Sequence, residues 1–339
     1  MKKVFISILA VAALAACNKV EPVNVNPGEA IAFGNAFVDN ATKATSATDP
    51  SYSTTTGKGV ALTQFKVYGA VNGVNIFNGN TVSKGEAQYG AAWALTGTKQ
   101  YWIAGASYKF VGVVDGDKTV GETVVTKTNL DGAGLPATIN YTADGATDLL
   151  CNVVEVVGKA SDNGVVAFSY THLLSKINFA VKNTTDASAT NYRFVLTSAK
   201  LTNAYESAVY DVNEDEWTPA ANMREFVLEN LTINSAATEY HSQEILLIPG
   251  SAVGVYIEAN IEATDDDPTA DDAVWTVVST VKKTFANALG KAGDTPKTLA
   301  KAAAYNFIVE LGVGTEIQFT ATEMSEWADG DGDSNTVLK

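Results

Sequence analysis

The chain has 339 residues, with 23 basic and 38 acidic side chains and a net charge of −15. Hydrophobic residues make up 46%, which excludes a wholly disordered chain. The acidic balance excludes a surface built to grip nucleic acid, because phosphate binding needs clustered Lys and Arg.

The N-terminus comes first. Lys2 and Lys3 precede an apolar run from Val4 to Leu14. That run is too short to span a bilayer, which takes about 20 apolar residues, and it fits the core of a secretory signal. It ends in Leu14-Ala15-Ala16-Cys17. Small residues before a cysteine are the pattern of a bacterial lipoprotein signal, whose thiol accepts a diacylglycerol. Residues 1–17 are therefore expected to be a lipoprotein signal peptide with Cys17 as the lipidation site. Lipid there would tether the protein to the outer membrane. Residues 18–29, rich in Asn, Pro, Val and Glu, read as a tether.

From residue 31 onward, short segments alternate apolar and polar side chains between Gly, Asn, Asp and Thr. This period of two predicts strands over 31–38, 65–71, 101–103, 108–114, 137–141, 151–157, 165–170 and 176–181. The second half continues with 192–196, 225–228, 244–248, 253–257, 275–281, 305–311 and 317–320. Val, Ile, Thr, Tyr and Phe dominate them, as pleated surfaces prefer. Only 298–304 has helical character, over about two turns. Residues 39–63, with many Thr, Ser, Asp and Lys, read as an exposed segment suited to proteolysis. The expected fold class is all-β, with two β-sandwich domains. The polar stretch from Lys182 to Asn191 suggests an N-terminal domain over 30–184 and a C-terminal one over 185–339.

Candidate chemistry is sparse. Two histidines and two cysteines leave little room for a metal cluster or a disulfide framework. His172 has Ser169 and Ser175 nearby, but no Gly-x-Ser-x-Gly elbow accompanies them. A structural histidine is the simpler reading. Cys151 in an apolar run reads as a small buried hydrophobe. Asp329, Asp331 and Asp333 alternate like the opening oxygens of a calcium loop. The closing Glu would fall beyond the last residue, so an acidic turn is the simpler reading there. Trp93, Trp102, Trp217, Trp275 and Trp327 could stack on sugars if exposed or fill cores if buried. No cofactor is expected, and an enzyme is the least supported class.

Several segments together carry a resemblance. They are the lipobox ending at Cys17, the first strand Ile31 to Val38 followed by Thr42-Lys43-Ala44, and Phe168-x-Tyr170-x-His172-Leu173-x-Ser175-Lys176-Ile177-x-Phe179. After these come Leu246-Leu247-Ile248-Pro249, then Tyr305-Asn306-Phe307-x-Val309-x-Leu311, with Ile317-x-Phe319 and Trp327 behind. In this order the chain resembles the fimbrillin-like family of Bacteroidetes surface lipoproteins, the subunits of type V pili. The resemblance implies that the first sandwich is transthyretin-like. It also implies export as a lipoprotein and cleavage after a basic residue beyond the first strand. Here that residue is Lys43, before Ala44, where the family has Arg. A strictly Arg-specific protease would not cut this site and a broader one would.

Removing the first strand, with Ile31, Phe33 and Phe37, would leave an apolar groove for a strand of the next subunit. Strand addition to such an edge is physically favourable, and its head-to-tail geometry builds an open filament. The expected partners are other pilin subunits. The candidate donor is Gly314 to Lys339, with Ile317, Phe319, Trp327, Val337 and Leu338 as plugs. The expected role is a structural pilin subunit acting in adhesion, with the adhesion ligand left open. A lipid-retaining anchor subunit and a glycan-binding surface lipoprotein are the alternative readings.

Overall fold

The computed structural model describes residues 28–38, 64–83, 93–115, 126–160, 164–185, 191–228, 232–233, 239–290 and 295–324. Among these residues the regular structure is all strand. In the first half the strands are β1 (Ala32–Val38), β2 (Gln64–Val71), β3 (Val74–Ser83), β4 (Ala94–Leu95), β5 (Ser107–Val114), β6 (Thr126–Leu130), β7 (Pro136–Thr142), β8 (Leu150–Val157) and β9 (Val165–His172). Then follow β10 (Ser175–Asn183), β11 (Tyr192–Tyr205), β12 (Ser207–Asp211), β13 (Glu216–Pro219), β14 (Met223–Val227), β15 (Thr232–Ile233), β16 (Glu239–Leu247), β17 (Gly254–Ala263), β18 (Thr276–Phe285), β19 (Ala304–Leu311) and β20 (Gln318–Met324).

Four sheets result. A seven-stranded sheet runs β1-β9-β8-β5-β2-β3-β4, and a four-stranded one runs β13-β12-β7-β6. The other two run β16-β10-β19-β20 and β14-β11-β17-β18, with β15 added on β11. Most pairs are antiparallel; β1 with β9 and β10 with β19 are parallel. The sheets stack around shared cores, in the manner of β-sandwiches.

Alternation explains the layering. In β9, Val166, Phe168, Tyr170 and His172 are buried while the residues between them are more exposed. β10 is buried along nearly its whole length, as a strand between two neighbours and under a second sheet should be. The larger core gathers Ile177 and Phe179 of β10, Phe307 of β19, Phe194 of β11 and Ile257 of β17. It continues through Ile139 of β7 and Tyr210 of β12 to Val111 and Val113 on one face of β5. The opposite face of β5, with Tyr108 and Phe110, belongs to a second core with Phe65, Phe77, Phe168, Ile31 and Phe33.

Strand pairing does not follow a division at 184/185. β10 bonds to β16 and β19, so it joins the C-terminal strands. The hairpin β12–β13 returns to pair with β7. Trp217 on that hairpin donates its indole N–H to the Leu173 carbonyl at 2.8 Å, fixing the hairpin to the short link between β9 and β10.

The helical expectation for 298–304 is overturned. Leu299 N–H donates to Ser251 O, and Gly250 N–H donates to Leu299 O. Ala300 N–H bonds the Tyr305 hydroxyl, Ala302 has a positive φ of 56°, and Ala304 already lies in β19. Tertiary partners thus take the backbone groups that a helix would use internally. Likewise 101–103 is no strand. Tyr101 makes one isolated bridge, with Ala30.

Candidate functional site

β1 is an edge strand held along one side by β9, in parallel, from Ala32↔Val165 to Val38↔Tyr170. Its entry is clasped on the other side as well. Ile31 N–H donates to Gln100 O at 2.8 Å, and Trp102 N–H donates to Glu29 O at 3.0 Å. Lys159 forms an ion pair with Glu29, and the Trp102 indole donates to Gly164 O at 3.1 Å. The chain therefore enters a slot between β9 and residues 100–102.

Inside the slot, Ile31 and Phe33 are buried. The Phe33 ring meets Phe77 edge-on at 5.4 Å and Phe110 edge-on at 5.7 Å, and it stacks on Phe168 at 6.2 Å. These rings come from β3, β5 and β9, so one side chain ties three strands together. Edge and offset ring contacts of this kind add about 0.5–1.5 kcal/mol each beyond burial.

The even spacing expected of Ile31, Phe33 and Phe37 is broken. The ladder shifts between Gly34 and Phe37, which sets Phe37 level with Ser169 and Val38 level with Tyr170. Such a bulge adds a residue to one strand and is invisible in a simple alternation. Sequence singles out Trp102 and Phe168 but assigns neither them nor Glu29, Gln100, Phe77 and Phe110 to a slot around the first strand. Their signal was the aromatic alternation of Phe65, Phe110 and Phe168, which points to a core but not to what enters it.

Of the other candidates, Cys17, Lys43, Ala44, Trp327, Asp329, Asp331, Asp333, Val337 and Leu338 lie outside the described residues. Ile317 is buried just ahead of β20, and Phe319, on β20, stacks on Phe285 at 5.0 Å and meets Phe307 edge-on at 5.4 Å. Both residues are thus already built into the C-terminal core, and donating them would require β20 to leave β19.

His172 is buried with Nδ1 2.6 Å from Asp148 Oδ2, a partner that suits a structural role where β9 ends. Cys151 is buried and free. Burial, and then the neighbouring Asp215, push its thiol up to about 12. It should therefore resist iodoacetamide in the folded protein at mildly alkaline pH and react once the chain is unfolded in guanidinium chloride. Peptide mapping by mass spectrometry checks this, and rapid labelling of the native protein would contradict the burial.

Among the described residues, Trp102, Trp217 and Trp275 do not form a stacking platform. Trp102 is buried against Tyr108 and Phe110. Trp217 packs on Tyr141 and Tyr210. Trp275 lies under the Arg193 guanidinium at 4.4 Å. A cavity of about 270 Å³ is lined by Cys151, Asn152, Val153, Thr171, Tyr210, Val212 and Asp215. A second, of about 100 Å³, includes the Lys66–Asp115 ion pair. Neither is lined by His172, and in the larger one burial and the neighbouring Asp215 keep the Cys151 thiol protonated.

This geometry defines an all-β protein with an aromatic-cored groove held by its own N-terminal strand. The family model described as fimbrillin-like matches residues 41–327, and the chain belongs to the fimbrillin-like family. Among solved structures it is similar to a fimbrial protein from Bacteroides vulgatus, at 13% identity and a TM-score of 0.57, over 88% of this chain and 99% of that one. A candidate cell adhesion protein from Bacteroides uniformis matches at 15% identity and a TM-score of 0.47, over 77% of this chain and 91% of that one. Another from Bacteroides ovatus matches at 15% and 0.46, over 81% and 91%. No curated protein sequence matches the chain.

Proposed function

We propose that the chain is a structural, non-enzymatic subunit of a type V pilus on a bacterial outer surface, with a role in adhesion. In this reading it is exported as a lipoprotein through Cys17, and its first sandwich is transthyretin-like. Cleavage between Lys43 and Ala44 frees the first strand, and a strand of the next subunit takes its place, so subunits join head to tail. The observation that carries the reading is the first strand itself. It is a parallel edge strand whose Ile31 and Phe33 sit in the core formed by Phe77, Phe110 and Phe168. Its loss would expose unpaired backbone groups and an apolar slot together, the combination that strand addition satisfies.

The test is to cut the full chain with a lysine-specific endopeptidase and follow its size. The expected product begins at Ala44 or Gly59 and forms a ladder of polymers, while the chain with both Lys43→Ala and Lys58→Ala stays monomeric under the same treatment. A chain that is cut after Lys43, loses its first strand and remains monomeric at high concentration would sink the proposal.

A further inference from the structure

The groove's present occupant shows what any replacement must look like. Four consecutive residues, Ile31 to Gly34, meet four different environments. Ile31 is buried, and Ala32 points out to solvent. Phe33 fills the cage of three rings. Gly34 is buried where an added Cβ would lie only 3.0 Å from Val165 Cγ1, with Trp93 Cδ1 at 3.8 Å. The first of these distances is tighter than ordinary packing, so a β-branched side chain there would have to push the β9 strand or its side chain aside. Beyond Gly34 the register with β9 shifts, so strict alternation ends there.

We propose that this groove selects its partner strand by an aliphatic–x–aromatic–small sequence, read by the Phe77, Phe110 and Phe168 cage and by the close approach of Val165. The inference rests on the strand-exchange reading above and goes beyond it by naming the chemistry of the partner. The occupant is an extended segment of another subunit that carries Ile or Val, a free position, Phe, then Gly or Ala, in the direction of β9. Register matters as much as composition, because a one-residue slip moves every side chain to the opposite face of the strand. An aromatic ring displaced by one position would therefore face solvent. The chain's own Ile317-Gln318-Phe319-Thr320 has the first part of this order but ends in a β-branched residue, and Phe319 is engaged with Phe285 and Phe307. The tail beyond it offers an aromatic–small step only at Trp327-Ala328, with Ser325 at the aliphatic position. Neither segment meets the rule in full, so a subunit segment that does is expected to outcompete this chain's own C-terminal region for the groove.

The experiment uses the full chain with a site for a sequence-specific protease placed between β1 and β2. After cleavage the first strand is washed out in mild urea. A fluorescent peptide spanning residues 28–38 is then titrated in, and binding is read by anisotropy. The native peptide is expected to bind. Peptides with Phe33→Ala, or with residues 32 and 33 exchanged, are expected to bind at least about 30-fold more weakly, and Gly34→Val about 10-fold more weakly. If all four peptides bind within about threefold of one another, the sequence rule is wrong while strand exchange stands. If the native peptide itself fails to enter, strand exchange fails and the rule fails with it.

Discussion

Replacing Phe33 with alanine is expected to cost the full chain about 3–5 kcal/mol of stability in urea unfolding. The magnitude follows from what the ring touches. It is buried within the second core and contacts three aromatic rings on three strands. Truncation removes its transfer free energy and leaves a void that rigid aromatic neighbours close poorly. Val157→Ala is the matched control. Val157 is 77% exposed at the end of β8, so its truncation should shift stability by no more than about 0.5 kcal/mol. A loss below about 1 kcal/mol for Phe33→Ala would mean that the cage does not hold the ring.

The same figure bears on assembly. Burying Ile31 and Phe33 contributes about 3–6 kcal/mol, and the bonds to Gln100, Trp102 and β9 add to it. An incoming strand must match that sum to displace the resident one while β1 stays attached and so has a high effective concentration. Once the link between β1 and β2 is cut, that advantage is gone, and comparable contacts from a second chain suffice. Proteolysis can thus set the timing of assembly without altering any contact in the groove.

Much of this fold was legible because buried strands write their alternation plainly. β9 reads Val-x-Phe-x-Tyr-x-His on its buried face, from Val166 to His172. The missed strands lack that signal for identifiable reasons. β3 is rich in Asn, Gly and Thr, and only Phe77 and Val82 on it are buried. Two register shifts in its pairing with β2 break the alternation. β6 and β13 are short and polar, and they take their place from pairing with β7 and β12. The stretch 298–304 carries helix-forming residues, yet Leu299 and Ala300 bond to Ser251 and Tyr305 instead. The first strand was legible as a strand. Its parallel pairing, its clasp at residues 100–102 and its bulge all depend on residues far away in the chain, and no local pattern encodes them.

Gly112→Ala should destabilise the protein by about 3 kcal/mol, although replacing a glycine inside a strand ordinarily gains about 0.5–1 kcal/mol. The reversed sign comes from the aromatic layer that crosses β5. A Cβ at position 112 would overlap the Tyr170 hydroxyl and come within 2.9 and 3.0 Å of the Phe168 ring. Tyr170 is wholly buried, its hydroxyl finds no hydrogen-bond partner among the described residues, and burial pushes its phenol upward so that it stays neutral. A buried hydroxyl without a partner costs roughly 1–3 kcal/mol. Tyr170→Phe alone should therefore be neutral or stabilising by about 1 kcal/mol. Removing that oxygen also removes the worst overlap. The double substitution should accordingly be more stable than the sum of the two single effects by at least about 1 kcal/mol, with the Phe168 overlap remaining. Urea unfolding of the four proteins in this cycle measures the coupling directly. Strict additivity would mean that the Tyr170 hydroxyl does not lie over Gly112, and a gain in stability from Gly112→Ala would mean that the aromatic layer is not packed against β5.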